Sequence, residues 1–153
     1  MLLSWLAGKL LNWVFVDLRA GSNKRAMLLD AKDVVLRFPG ENSFAGVFNG
    51  KEAHRKWEQR FCDLGMQIHA DEVVATGPPW KVTMCVRGTD YCLSPEGEKV
   101  YDNRYVIWGH SRWGRLTDLE VYEDTQETAR FQTWLDDNEP RLLATNRAKL
   151  AAH

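Results

Sequence analysis

Between Trp80 and Thr125 the residue pattern leaves room for little but three consecutive antiparallel strands. The segments Trp80–Leu93, Lys99–Trp113 and Leu116–Glu123 are rich in β-branched and aromatic residues. Two tight turns join them, Pro95–Glu96–Gly97 and Trp113–Gly114–Arg115. A chain committed to so long a meander must cover at least one face of the resulting sheet. Both faces of Tyr101–Gly109 are partly apolar, with Tyr101, Asn103, Tyr105 and Ile107 on one and Asp102, Arg104, Val106 and Trp108 on the other. Both are therefore expected to be covered.

The rest of the chain supplies helices for that purpose. Leu2–Leu18 reads as a helix in which Ser4, Gly8 and Asn12 form a narrow polar stripe. The other face, with Leu3, Leu6, Leu10, Trp13, Val14 and Leu18, is expected to be mostly buried across the sheet. Lys9 interrupts the apolar run, which is short and broken for a membrane span and lacks the charge order of a signal peptide. A membrane-surface helix is the minority alternative. A short helix over Lys24–Ala31, a strand over Asp33–Phe38 ended by Pro39–Gly40, and a short strand near Phe44–Val47 follow. Lys51–Leu64 is a helix with Ala53, Trp57, Phe61 and Leu64 as its apolar stripe, stopped by Gly65. Met66–Thr76 is a strand ended by Gly77–Pro78–Pro79. After the meander, Gln126–Leu135 reads as a short helix, broken at Asp136–Pro140. Arg141–His153 then has the composition of a polar helical tail. The 153 residues suit one α+β domain, with a core of about residues 5–135 and a tail over 136–153.

Composition narrows the partners. The formal net charge is −1, so nothing points to nucleic acid, whose binders carry a basic face. Cys62, Cys85 and Cys92 fit neither a metal spacing nor a disulfide framework, and imply reduced thiols in a cytoplasmic protein. No phosphate loop, zinc spacing, nucleophile triad or dinucleotide fingerprint occurs, so no metal and no cofactor are expected. Seven tryptophans are many for this length and point to a core, a pocket or an interface.

Three stretches together resemble the nuclear transport factor 2-like superfamily, in its SnoaL-like and ketosteroid-isomerase-like branches. They are Asp33–Gly40, Gly50–Trp57, and Tyr101–Trp108 followed by Trp113–Arg115 and Glu120–Thr125. The resemblance covers residues 5–135. It implies a cone-shaped α+β barrel, a curved mixed or antiparallel sheet wrapped around the N-terminal helices. It also implies a cavity for a small apolar molecule and, commonly, a homodimer through the sheet. It names no activity, because folds of this kind host many. The isomerases' catalytic Asp before the first-strand Pro is Phe38 here, and the first helix has no Tyr. The epoxide-hydrolase branch needs an Arg-x-Asp pair, but Arg87 and Asp90 are one residue too far apart and its second Asp is Val121. The His of many cyclase relatives is Ile107.

What remains is an acid–base reading on an apolar carbonyl or hydroxyl compound, of isomerase, cyclase or dehydratase type. Plain in-register pairing across the Trp113 turn brings Glu120 and Tyr122 to the face of Asn103 and Tyr105. Glu120 is then the candidate general acid or base, since burial raises a carboxyl pKa. Asp90 is the second candidate, should the strand faces be exchanged. Trp57, Phe38, Phe61 and Trp80 complete the expected lining. The alternative is a non-catalytic ligand-binding or dimerisation module.

Overall fold

The computed structural model describes residues 1–152. Its elements run α1 (Leu2–Arg19), α2 (Lys24–Leu29), β1 (Asp30–Phe38), β2 (Gly46–Asn49), α3 (Lys51–Asp63), β3 (Gln67–Thr76), β4 (Val82–Leu93), β5 (Lys99–Arg112), β6 (Arg115–Glu123) and α4 (Thr125–Ala151). One six-stranded sheet has the order β2-β1-β6-β5-β4-β3. All pairs are antiparallel except β1 with β6. The sheet is curved and does not close, and the helices lie in its concavity. Buried residues from every layer form one core, including Phe15, Leu36, Phe61, Leu64, Val86, Tyr105, Val121 and Phe131.

The faces of β6 are set by one extra residue. Beyond the Trp113–Gly114 turn, Arg112 pairs with Arg115 and Ser111 with Leu116, as plain register requires. Thr117 is then skipped, so that His110 pairs with Asp118, and the shifted register runs on to Tyr105 opposite Glu123. The Thr117 hydroxyl donates to the His110 carbonyl at 3.1 Å, which holds the bulge. Because side chains alternate every residue, this single insertion exchanges the faces of the strand. Leu119, Val121 and Glu123 turn inward with Tyr105 and Ile107. Glu120 and Tyr122, expected inside, lie on the outer face.

Gly88 shows how closely β3, β4 and β5 approach. A Cβ there would lie 2.0 Å from the His69 carbonyl and 2.4 Å from the Tyr105 hydroxyl. Tyr105 lies over the glycine and donates its hydroxyl to His69 O at 2.9 Å. Only glycine leaves that path open.

Two helices differ from the sequence expectation. On α1 the Ser4 and Gly8 end of the small, polar stripe faces protein, while Asn12 is exposed. The Ser4 hydroxyl donates to the Ala75 carbonyl at 3.2 Å and accepts from Ala75 N–H at 3.0 Å, and Gly8 lies against Val73. Ser4 thereby fastens the helix to β3. Val14, Phe15 and Leu18 are buried, Leu6 and Leu10 border the cavity with part of their surface open, and Trp13, expected in the core, is exposed. No described helix is long and apolar enough to cross a membrane.

At the other end, α4 runs unbroken through Pro140. A proline removes one helical N–H, which ordinarily disfavours an interior position. Here Pro140 and Asp136, whose carbonyl loses its partner, are exposed, so water can satisfy the orphan group. The continuation is held by buried Leu135 and Leu142, by the Arg60–Glu139 ion pair at 3.3 Å, and by Asn146 donating to Asp63 O at 3.1 Å. The polar tail is therefore a docked helix.

Candidate functional site

The concavity between α1, α3 and the sheet encloses a cavity of about 420 Å³. That volume suits a small organic ligand. Its walls are overwhelmingly aliphatic and aromatic, from Leu3, Leu10, Phe15, Leu36, Val86 and Leu119 among others. The closed end is filled by an aromatic group. Phe38 and Trp57 have ring centroids 5.3 Å apart, Trp57 stacks on Phe61 at 5.8 Å, and the Trp57 indole N–H donates to Phe44 O at 3.0 Å.

Into this apolar space project two groups of polar side chains. The first sits on the helix side. Asp30 is the first residue of β1, and His54 and Glu58 lie one turn apart on α3. The spacing of four puts both on one face of α3, beside Phe61 and Cys62, and that face is buried. His54 Nδ1 lies 2.7 Å from Asp30 Oδ2 and donates to it, since a carboxylate only accepts. His54 Nε2 lies 3.5 Å from Glu58 Oε1. Asp30 Oδ1 and Glu58 Oε2 are buried with no protein partner. Burial pushes the Glu58 carboxyl up to about 8, with His54 opposing and Asp30 reinforcing the shift. For His54, burial disfavours the charged ring, but the hydrogen bond it donates to Asp30 and the charges of Glu58 and Asp30 outweigh it, so its pKa is raised. An imidazole between two carboxyl groups in an apolar cavity is an acid–base device: one nitrogen is fixed, and the other shares a proton with a carboxyl that is largely neutral near pH 7.

The second group sits on the sheet side. Asp90 is buried on β4, where continuous pairing puts it beside Asn103, and its Oδ1 has no partner. Burial, then the charges of Glu123 and Asp102, raise its pKa well above the ordinary carboxyl value. Glu123, also raised by burial, is tied down by the hydroxyls of Tyr101, at 3.2 Å, and Thr128.

The residues singled out from sequence fall in several places. Asp90, Tyr105, Trp57, Phe38 and Phe61 line the cavity. The Tyr105 hydroxyl is already committed to His69 O. Asn103 is buried but serves the scaffold: its amide donates to Tyr101 Oη at 3.1 Å and to Asp124 O at 3.0 Å, pinning the start of α4 to β5. Trp80 stands exposed at the cavity mouth. Glu120 pairs across from Trp108 on the outer face, and Tyr122 is exposed there. Neither reaches the cavity contents. Arg87 is exposed and paired with Glu72 at 3.1 Å, on the face opposite Asp90.

Sequence reasoning missed Asp30, His54 and Glu58 as a unit. The readable signal was the i, i+4 pair His54–Glu58 leading into Phe61–Cys62, but an apolar-stripe search selects Ala53 and Trp57 instead. Among the described residues no group of three or more His, Cys, Asp and Glu is arranged to hold a metal ion.

No family model and no curated protein sequence matches the chain. Solved structures do. TerC, crystallised with polyporic acid, superimposes with a TM-score of 0.67 at 18% identity, over 82% of this chain and 96% of its own. A nuclear transport factor 2-like protein from Anabaena variabilis ATCC 29413 gives 0.62 at 20% identity, over 80% and 89%. An isomerase candidate from Rhodopseudomonas palustris gives 0.61 at 18% identity, over 80% and 95%. The chain therefore has the nuclear transport factor 2-like fold, the cone expected from its sequence.

Proposed function

We propose that this protein is a small-molecule enzyme that moves protons on an apolar carbonyl or hydroxyl compound held in the cavity. The observation that carries this reading is the His54–Asp30 hydrogen bond at 2.7 Å, buried in an apolar cavity with Glu58 at the other ring nitrogen. Asp30 fixes the tautomer, which leaves His54 Nε2 as the base. In an enolisation, Nε2 takes the proton α to the carbonyl. Glu58, neutral near pH 7, gives its proton to the developing oxyanion. Asp90, whose pKa is raised by burial and by the charges of Glu123 and Asp102, is a second side chain able to hold a ligand oxygen. Return of the abstracted proton from His54 to a different carbon, with the enol proton going back to Glu58, makes an isomerase; delivery of the abstracted proton to a β-hydroxyl, which leaves as water, makes a dehydratase. The crystallisation of TerC with polyporic acid and the isomerase candidate of the same fold support an oxygenated, apolar ligand.

The same reading includes a homodimer through the outer sheet face, where Trp108, Tyr122 and Val74 are exposed. It also places the protein in a reducing cytoplasm, which suits three free thiols, two of them raised to about 12 by burial.

The test uses a panel of cyclic and aryl ketones and hydroxyketones in D2O, with mass spectrometry of the recovered compounds. Wild-type protein is expected to introduce deuterium α to the carbonyl, or to release water, with at least one panel member. His54→Asn is expected to lower that rate about 100-fold or more. Compounds that bind the cavity but show neither change would overturn the enzyme reading in favour of a binding module.

A further inference from the structure

The cavity reaches the surface at one end of the cone. Its lining there is Leu3 and Leu6 of α1, Gly77 and Pro79 before β4, and Ser111 and Gly114 around the β5–β6 turn. These segments are fastened together. Ser4 holds Ala75 through two hydrogen bonds, and Trp113 N–H donates to Pro79 O at 2.7 Å. The Trp80 and Trp113 rings lie 5.8 Å apart.

Around this mouth the protein exposes its largest apolar side chains. Trp5 is 59% exposed, Trp80 56%, Trp113 68% and Leu2 71%. Trp113 also sits at φ 52°, in a turn where Gly or Asn is the usual choice. A bulky residue in that region is unfavourable, and the exposed ring returns nothing to the core. The charge is as uneven as the hydropathy. Segments 1–10, 76–81 and 110–116 contain Lys9, Lys81, Arg112 and Arg115, all exposed, and no Asp or Glu, in a chain whose net charge is −1. Lys9 lies over the Trp5 ring at 5.7 Å.

We propose that this end of the cone docks on the surface of an anionic lipid bilayer. Trp5, Trp80, Trp113 and Leu2 enter the headgroup layer, where amphipathic rings and aliphatic chains are favoured, and the four cations meet lipid phosphates. The cavity mouth then faces the lipid, and an apolar ligand passes between bilayer and cavity without crossing water. Protein–protein contact explains exposed tryptophans equally well, but not a rim of four exposed cations around an apolar opening, where the neighbouring acid, Asp118, is already paired with Arg37. Docking does not depend on the acid–base chemistry of His54.

The experiment sediments the full chain with vesicles of phosphatidylcholine alone and of phosphatidylcholine with roughly one-third phosphatidylglycerol, following tryptophan emission in parallel. Binding with a blue shift is expected on the anionic vesicles, weaker on the neutral ones, and falling with salt. Trp80→Ser/Trp113→Ser and Lys81→Glu/Arg112→Glu are each expected to lower partitioning about tenfold or more. Circular dichroism should stay unchanged in both variants, and vesicle-free proton exchange should stay unchanged in Lys81→Glu/Arg112→Glu. Absence of binding at about 1 mM anionic lipid would overturn the proposal. So would binding that neither variant weakens, or sedimentation equilibrium showing a dimer that Trp80→Ser/Trp113→Ser dissociates without any lipid binding.

Discussion

The cavity has two polar walls built from the same materials, and they do different things. On the helix side, Asp30 and Glu58 flank His54 and keep two carboxyl oxygens without partners. On the sheet side, Glu123 is bound by Tyr101 and Thr128, and Asn103 ties the same hydroxyls to the first turn of α4. The second wall spends its polar atoms on itself and secures a helix to a strand. The first leaves polar capacity facing empty, apolar space. Buried polar groups are ordinarily satisfied, so unsatisfied ones mark either instability or a site. Asp90 stands between the two cases, buried in the sheet wall but with one free oxygen.

That contrast can be broken by mutation. The largest effect is expected from His54→Asn, a loss of about 100-fold or more in proton exchange with the circular dichroism spectrum retained. A smaller loss would move the base to another side chain. Asp30→Asn is expected to lower exchange about 10- to 100-fold while substrate affinity changes little, because the tautomer is no longer enforced.

The helix wall should also appear in stability against pH. The Glu58 carboxyl is about 8 when folded, against an ordinary 4.5, so the folded state binds a proton that the unfolded state releases. The raised pKa of His54 acts in the same direction. Each contribution is complete below the group's unfolded pKa and is lost as pH rises through its folded pKa. Thermal melts are therefore expected to peak in mildly acidic buffer and to fall between about pH 5 and 8, by on the order of 2–4 kcal/mol. Glu58→Gln should flatten that slope. A slope unchanged by the substitution would show that Glu58 does not carry the proton.

Substitution in the sheet wall should be felt in stability and not in exchange. Thr128→Val removes the hydroxyl that serves Glu123 and is expected to cost about 1–3 kcal/mol in urea melts, leaving exchange per folded molecule near wild type. Smallest of all is Glu120→Gln on the outer face, expected within about 0.5 kcal/mol and without effect on exchange. A large loss of exchange there would return catalysis to the residue that strand patterning alone selects.

The Glu120 case shows what patterning reads and what it cannot. Alternation identifies β5 and β6 and correctly groups Tyr101, Asn103, Tyr105 and Ile107, because a residue's face within one strand depends only on its neighbours in sequence. Which face of β6 joins them depends on register between strands, and one skipped residue at Thr117 reverses it. On α1, similarly, Ser4 and Gly8 read as a solvent stripe because they are small and polar. Ser4 and Gly8 instead pack on β3, which turns Leu6 and Leu10 to the cavity and leaves Trp13 outside. At Pro140 the local rule for ending a helix was outweighed by tertiary contacts from Leu142, Glu139 and Asn146.

By itself the sequence determined the elements and their α+β order, because strand patterning, turn residues and helix periodicity are local; the cone followed from the family resemblance. The tertiary structure decided the site. Asp30 and His54 are 24 residues apart and on different kinds of element, so their hydrogen bond is a product of packing. Likewise the cationic, tryptophan-rich mouth exists only because three short segments, unremarkable one by one, meet at the open end of the cone.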